Sequence, residues 1–139
     1  MRKRALTIFV LSLCMSLFSG FSGADEAADC NPDKGGCIKR IRDREILFSL
    51  GPKPVRSMEE LDVSLLITPR LSAPDELVVD LSMPGMYMGK NQVLLRRNLE
   101  GGYSGKGVIP RCGSGRRLWR ATVDIPGTGK VGFTFHVHR

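Results

Sequence analysis

Residues 61–68 read LDVSLLIT and residues 76–83 read ELVVDLSM. In the first, Leu61, Val63, Leu65 and Ile67 share one face; in the second, Leu77, Val79, Leu81 and Met83 do. An apolar residue at every second position lines one side of a strand, whereas one side of a helix needs a repeat of about 3.6. Both stretches therefore read as half-buried β-strands. Five more segments complete the set: EILFSL (45–50), NQVLLRR (91–97), GYSGKGVI (102–109), LWRATVDI (118–125) and VGFTFHVH (131–138). Turn-forming runs such as PRLSAPD (69–75), LEGG (99–102) and PGTGK (126–130) separate them,. No stretch joins helix caps to an apolar repeat of three to four residues. The pattern predicts an all-β chain, an immunoglobulin-like antiparallel β-sandwich of about seven strands.

The N-terminus has a different character. Arg2, Lys3 and Arg4 precede an apolar run from Ala5 to Phe18, and Ser22-Gly23-Ala24 supplies the small residues a signal peptidase reads,. This predicts a secretory signal peptide over 1–24, cut after Ala24. An uncleaved anchor is the competing reading, but the run falls short of the ~20 apolar residues that span a bilayer. Cys14 follows the bulky Leu13, so it lacks the small neighbour of a lipidated cysteine. The expected organisation is a signal peptide (1–24), a Cys-containing segment (25–40) and one sandwich domain (41–139), in a periplasmic or otherwise exported protein.

Charge adds to this. The chain carries 21 Lys and Arg against 14 Asp and Glu, for a net +7. Three of the bases and none of the acids lie in the signal segment, so the remaining 115 residues carry only +4. A modest charge on an exported chain argues against nucleic acid as a partner and leaves envelope proteins and lipid.

Cys30, Cys37 and Cys112 remain after cleavage, an odd number for an oxidising compartment,. Between the first two, CNPDKGGC holds enough turn residues to close a small loop, which predicts a Cys30–Cys37 disulfide and a free Cys112. Pairing of Cys112 with either partner is the alternative.

If consecutive strands run antiparallel, every second loop lies at the same end. The loop PGMYMGKN after the third strand, the loop PRCGSGRR after the fifth, and the end of the seventh strand are then expected to converge. The Cys30–Cys37 loop, preceding the first strand, is expected to begin at the opposite end. In the last strand Val131, Phe133, Phe135 and Val137 form the core face, so His136 and His138 point together to the other. Their Cα atoms stand roughly 6.5–7 Å apart on a strand, close enough for two imidazoles to share a metal ion, or simply to sit on an outer face. Met83 fits the core face of its own strand, while Met86 and Met88 flank Tyr87 in the loop. Thioether, thiolate and imidazole together form a donor set that selects Cu(I). The candidate ligands are Met86 and Met88, with Met83, His136, His138 and Cys112 secondary.

MPGMYMGKNQV, GVIPRCGSGRRLWRATV and the closing VGFTFHV resemble the YtkA-like and FixH-like extracytoplasmic domains, small immunoglobulin-like modules carrying a Met-Pro-x-Met or Met-Pro-x-His element. The resemblance covers roughly residues 60–138. It implies copper handling or assistance in assembling copper-containing respiratory oxidases, with Met83, Pro84, Met86, Met88 and Gly89 on the motif. The chain departs from FixH-like members in having no His within the Met-Pro loop.

Other features point elsewhere. GGYSGKG has the glycines of a phosphate loop, but it sits in a strand and opens no helix. Arg111, Arg116, Arg117 and Arg120 form a basic cluster, suited to an acidic partner or anionic lipid or to solvent alone. Trp119 shares its face with Ala121, Val123 and Ile125 and reads as core. No general base and orienting acid accompany Cys112, so the chain is not read as an enzyme. The expectation is a non-enzymatic exported domain that handles copper, the alternative being a metal-free interaction module for an envelope or respiratory-complex protein.

Overall fold

The structure is a computed structural model and describes residues 27–72 and 74–139. The expected signal peptide and Cys14 lie outside the described residues. Eight strands are present: β1 (Cys37–Ile41), β2 (Arg44–Gly51), β3 (Glu60–Thr68), β4 (Glu76–Ser82), β5 (Gln92–Arg97), β6 (Tyr103–Val108), β7 (Leu118–Ile125) and β8 (Gly129–His136). All pairings are antiparallel, in the order β1-β2-β3-β6-β5-β4-β7-β8. No helix among the described residues is long and apolar enough to cross a membrane.

Alternation decides which side each strand buries. Leu61, Val63, Leu65 and Ile67 are buried, as are Leu77, Val79 and Leu81 and, from the last strands, Trp119, Ala121, Val123, Phe133 and Phe135. These apolar faces need a partner, and here they find it within one sheet that turns back on itself. Phe48 on β2 stacks on Phe133 on β8 with ring centroids 5.0 Å apart, although five strands separate them in the sheet. The two edges, β1 and β8, also approach each other. The ladder is thinnest between β5 and β6, where only Arg96↔Ser104 and Arg97↔Tyr103 pair. There β6 runs so close to β5 that a Cβ on Gly105 would collide with the Leu94 carbonyl oxygen. The glycines of GYSGKG thus permit a tight crossing of two backbones, with no phosphate involved. Tyr103 closes the same corner: it is buried and its hydroxyl donates to the Pro74 carbonyl at 2.8 Å.

Two expectations change. A strand precedes the seven that were read, because Cys37–Ile41 pairs with β2 in the register Cys37↔Phe48 to Ile41↔Arg44. It straddles the expected border between the 25–40 segment and the domain. The extra strand reverses the parity of everything before it, so the Cys30–Cys37 loop begins at the same end as the close of β8, contrary to the expectation. Asp29 and Cys30 donate their backbone N–H groups to the Thr134 carbonyl, and Asp33 accepts from the Val55 N–H at 2.7 Å. Cys30 and Cys37 are bonded, with Cα atoms 5.7 Å apart, and Cys112 is the free cysteine among the described residues.

Candidate functional site

The methionine loop begins as a tight turn. Pro84 presets its own φ, Gly85 takes φ 72°, and the Met86 N–H donates to the Met83 carbonyl at 3.1 Å. Proline followed by a positive-φ glycine is the chemistry of a type II turn, which brings Met83 and Met86 opposite each other,. Met83 is 3% exposed and belongs to the core. Met86 and Met88 are half-buried and pack against its rim, while Tyr87 between them is 89% exposed.

The loop after β6 comes to meet them. Cys112 Sγ donates to Met86 Sδ across 3.6 Å, and lies 3.0 Å from Ser114 Oγ. The thiol is buried but not chemically idle. The Ser114 hydroxyl and backbone N–H, followed by the backbone N–H and charge of Arg116, hold it below the ordinary thiol range against the opposing effect of burial,. A thiol that gives up its proton more readily than usual, set beside a thioether, is a soft donor pair,. Arg116 also braces the turn, donating from Nη2 to the Pro84 carbonyl at 3.0 Å.

No family model, curated protein or solved structure matches this chain.

The histidines approach this end from the other side. His138 and Cys112 line one small cavity together with Ser57, Trp119 and several arginines. Yet His138 Nε2 is already engaged, 2.7 Å from Asp33 Oδ2. Partial burial pushes Asp33 upward, but the Val55 N–H and His138 outweigh it and hold the carboxyl below its usual range. His136 is exposed and lies with His138 on the neighbouring cleft, of 470 Å³, alongside Asp29, Cys30 and Asp33. Among the described residues no three His, Cys, Asp or Glu side chains gather as a metal-binding group. The convergence expected from parity is thus present for Met86, Cys112 and His138. A single centre of sulfur and both imidazoles is not.

Ser57, Asp33 and Met58 were not singled out from the sequence. Ser57 is a lone serine in a polar connection, and only the crossing of that connection under the C-terminal end buries it: its backbone N–H donates to the His138 carbonyl. Met58 adds a further thioether, 62% exposed at φ 68°, with its N–H on the Ile109 carbonyl. A methionine followed by two acids carries no sequence pattern that separates it from a surface loop. Asp33 had a signal in hindsight, the Asn-Pro-Asp turn within the disulfide loop, but no pattern linked it to His138, 105 residues away.

Proposed function

We propose that this chain is an exported copper-handling domain of YtkA-like type, taking Cu(I) on Met86 and Cys112, with Met88, two positions along the loop, as a third candidate. The observation that supports the reading is the 3.6 Å contact between Cys112 Sγ and Met86 Sδ, two soft sulfurs delivered by loops 26 residues apart. A thioether beside a thiol favours a soft monovalent ion over Ca²⁺, which takes oxygen ligands, and over Zn²⁺, which is held by four thiolate or imidazole donors. His138 is a weaker candidate donor because Asp33 holds it, and Met83 is a core residue. The resemblance to copper-associated extracytoplasmic modules agrees with this donor set.

The test is anaerobic competition for Cu(I) between the protein and a chromogenic chelator, in a Cys14→Ser background so that the signal segment contributes no thiol. Met86→Leu and Cys112→Ser should each weaken retention at least tenfold without lowering the melting temperature appreciably, since leucine keeps the apolar volume of methionine. A wild-type protein that loses all copper to a weak chelator would sink the reading. Tyr87 supports a second one: a ring 89% exposed at the tip of the loop suits a metal-free module that docks on an envelope protein,. In that case Met86→Leu with Met88→Leu would leave docking intact, and Tyr87→Ala would abolish it.

A further inference from the structure

The rim of the Cys112 end is built from arginines that have no acid. Arg40, Arg96 and Arg97 pair with Glu45, Glu76 and Asp75 on the flanks of the sheet, and Lys39 and Lys106 with Asp29 and Glu60. Arg111, Arg116, Arg117 and Arg139 are exposed and make no ion pair with a carboxylate among the described residues. The two acids that line a cleft with Arg117 are already taken: Asp29 by Lys39 and Asp33 by His138. Two of these guanidinium groups are fixed instead by backbone carbonyls, Arg116 by Pro84 and Arg139 by Gly115, at 3.0 and 3.1 Å. They are thus held in place while their charge stays uncompensated.

All four line one small cavity, of about 10 Å³, with Ser57, Cys112 and Trp119 also in its wall. That volume is at the lower edge of what one water, or one ligand oxygen, occupies. Ser57 is 8% exposed, and its hydroxyl is buried without a partner. A buried donor left unmade in a native fold calls for an explanation, and an absent ligand oxygen is one.

We infer that this cavity is an acceptor for a carboxylate of an acidic protein partner, one oxygen reaching Ser57 and the arginines closing on the rest. Guanidinium forks match planar carboxylates in a bidentate way, which ammonium groups do not. The recess favours a single side chain on a protein over a lipid headgroup. A flat anionic membrane would be met as readily by lysines spread over the surface, and the rim holds four arginines and no lysine. The inference deepens the copper reading by naming the partner's chemistry at the same end. Its test is run without metal, so the two can fail separately.

Trp119 is the sole tryptophan and lines the cavity, so its emission reports occupancy directly. The probe is a synthetic peptide of six glutamates blocked at both termini, titrated into the metal-free full chain at low salt. The wild type should give a saturable change in emission. The double variant Arg116→Lys with Arg117→Lys, equal in net charge, should bind at least fivefold more weakly. Ser57→Ala should weaken binding at least threefold while melting no lower than the wild type, because it removes an unpartnered hydroxyl. Arg96→Lys, on the flank, should change nothing. Three results would overturn the inference: no saturable binding by the wild type, equal affinity for the double lysine variant, or tighter binding to phosphatidylglycerol vesicles than to the peptide at matched charge.

Discussion

Gly105→Ala places one methyl group where β5 and β6 cross. The new Cβ would overlap the carbonyl oxygen of Leu94 and stand 3.0 Å from Leu95 Cδ2. Leu95 could rotate; Leu94 O is backbone and cannot, so the two strands must part. Overpacking of this kind costs about 1–3 kcal/mol. Against it stands a gain of about 0.4–1 kcal/mol from the smaller unfolded-state entropy of alanine. The ladder has only two residue pairs at this corner, so little holds the strands together while they shift. That places the net loss in the upper half of the range, near 2 kcal/mol, or a fall in melting temperature of about 8 °C for a domain of this size. Thermal unfolding followed by circular dichroism reads it. Gly132→Ala is the control: its nearest neighbours, Arg120 Cδ and Cγ, would lie at 3.5 and 3.7 Å, an ordinary contact, and stability should hold or rise. If Gly105→Ala melts with the wild type, β5 and β6 do not cross closely and the sheet does not turn at that corner.

Three further outcomes follow from the structure. The Asp33 carboxyl is held below its usual range, so its contribution to stability is complete above the ordinary aspartate value of 3.8 and is lost as pH falls through the folded-state value below it,; the stability advantage of wild type over Asp33→Asn, from denaturant melts, should shrink as pH falls below about 4. Met58 sits at φ 68° in the left-handed region, where an L-residue costs about 1–2 kcal/mol. Met58→Gly should raise the denaturation midpoint, with a net gain of about 0.5–1 kcal/mol after the extra backbone entropy of glycine; a lower midpoint would show that its exposed side chain contributes to packing. Tyr103→Phe removes the bond to the Pro74 carbonyl, but that oxygen keeps the Arg97 guanidinium as a donor at 2.8 Å, so the loss should stay within about 0.5–1.5 kcal/mol; a larger one, measured in urea, would mean that the corner depends on the phenol.

Six of the seven strands were legible because each buries an apolar residue at every second position, and such burial writes period two into the sequence; β6, in which only Tyr103 is buried, carries no such apolar repeat. Strand β1 was not legible at all. In CIKRI only Cys37 is buried, Ile38 is 59% exposed, and the strand is an edge carrying Lys39 and Arg40. Charged, short edges resist aggregation and for the same reason carry no apolar alternation. Missing it displaced the disulfide loop to the wrong end, although the loops beyond it were placed correctly, since parity errors travel only backward from the missed strand. Alternation also says which face is buried without saying against what, so one sheet turning back on itself could not be told from two packed layers. Within the site, Met86 and Cys112 were legible as soft donors in loops of equal parity. The orphaned hydroxyl of Ser57 and the capture of His138 by Asp33 depend on contacts between distant segments, which residue types alone do not encode.

The pairing of the cysteines also bears on how the chain reaches this state. Seven positions separate Cys30 from Cys37, while Cys112 lies 75 positions beyond Cys37. Closing the longer loop in an unfolded chain costs about 2 kcal/mol more than closing the shorter, roughly a thirtyfold bias in encounter frequency. The correct bond is thus the one chain statistics deliver first, before β6 and β7 have joined their neighbours in the sheet. Cys112 is then left without a competitor when the sheet closes over it, and its thiol reaches the folded protein intact by the order of events rather than by protection.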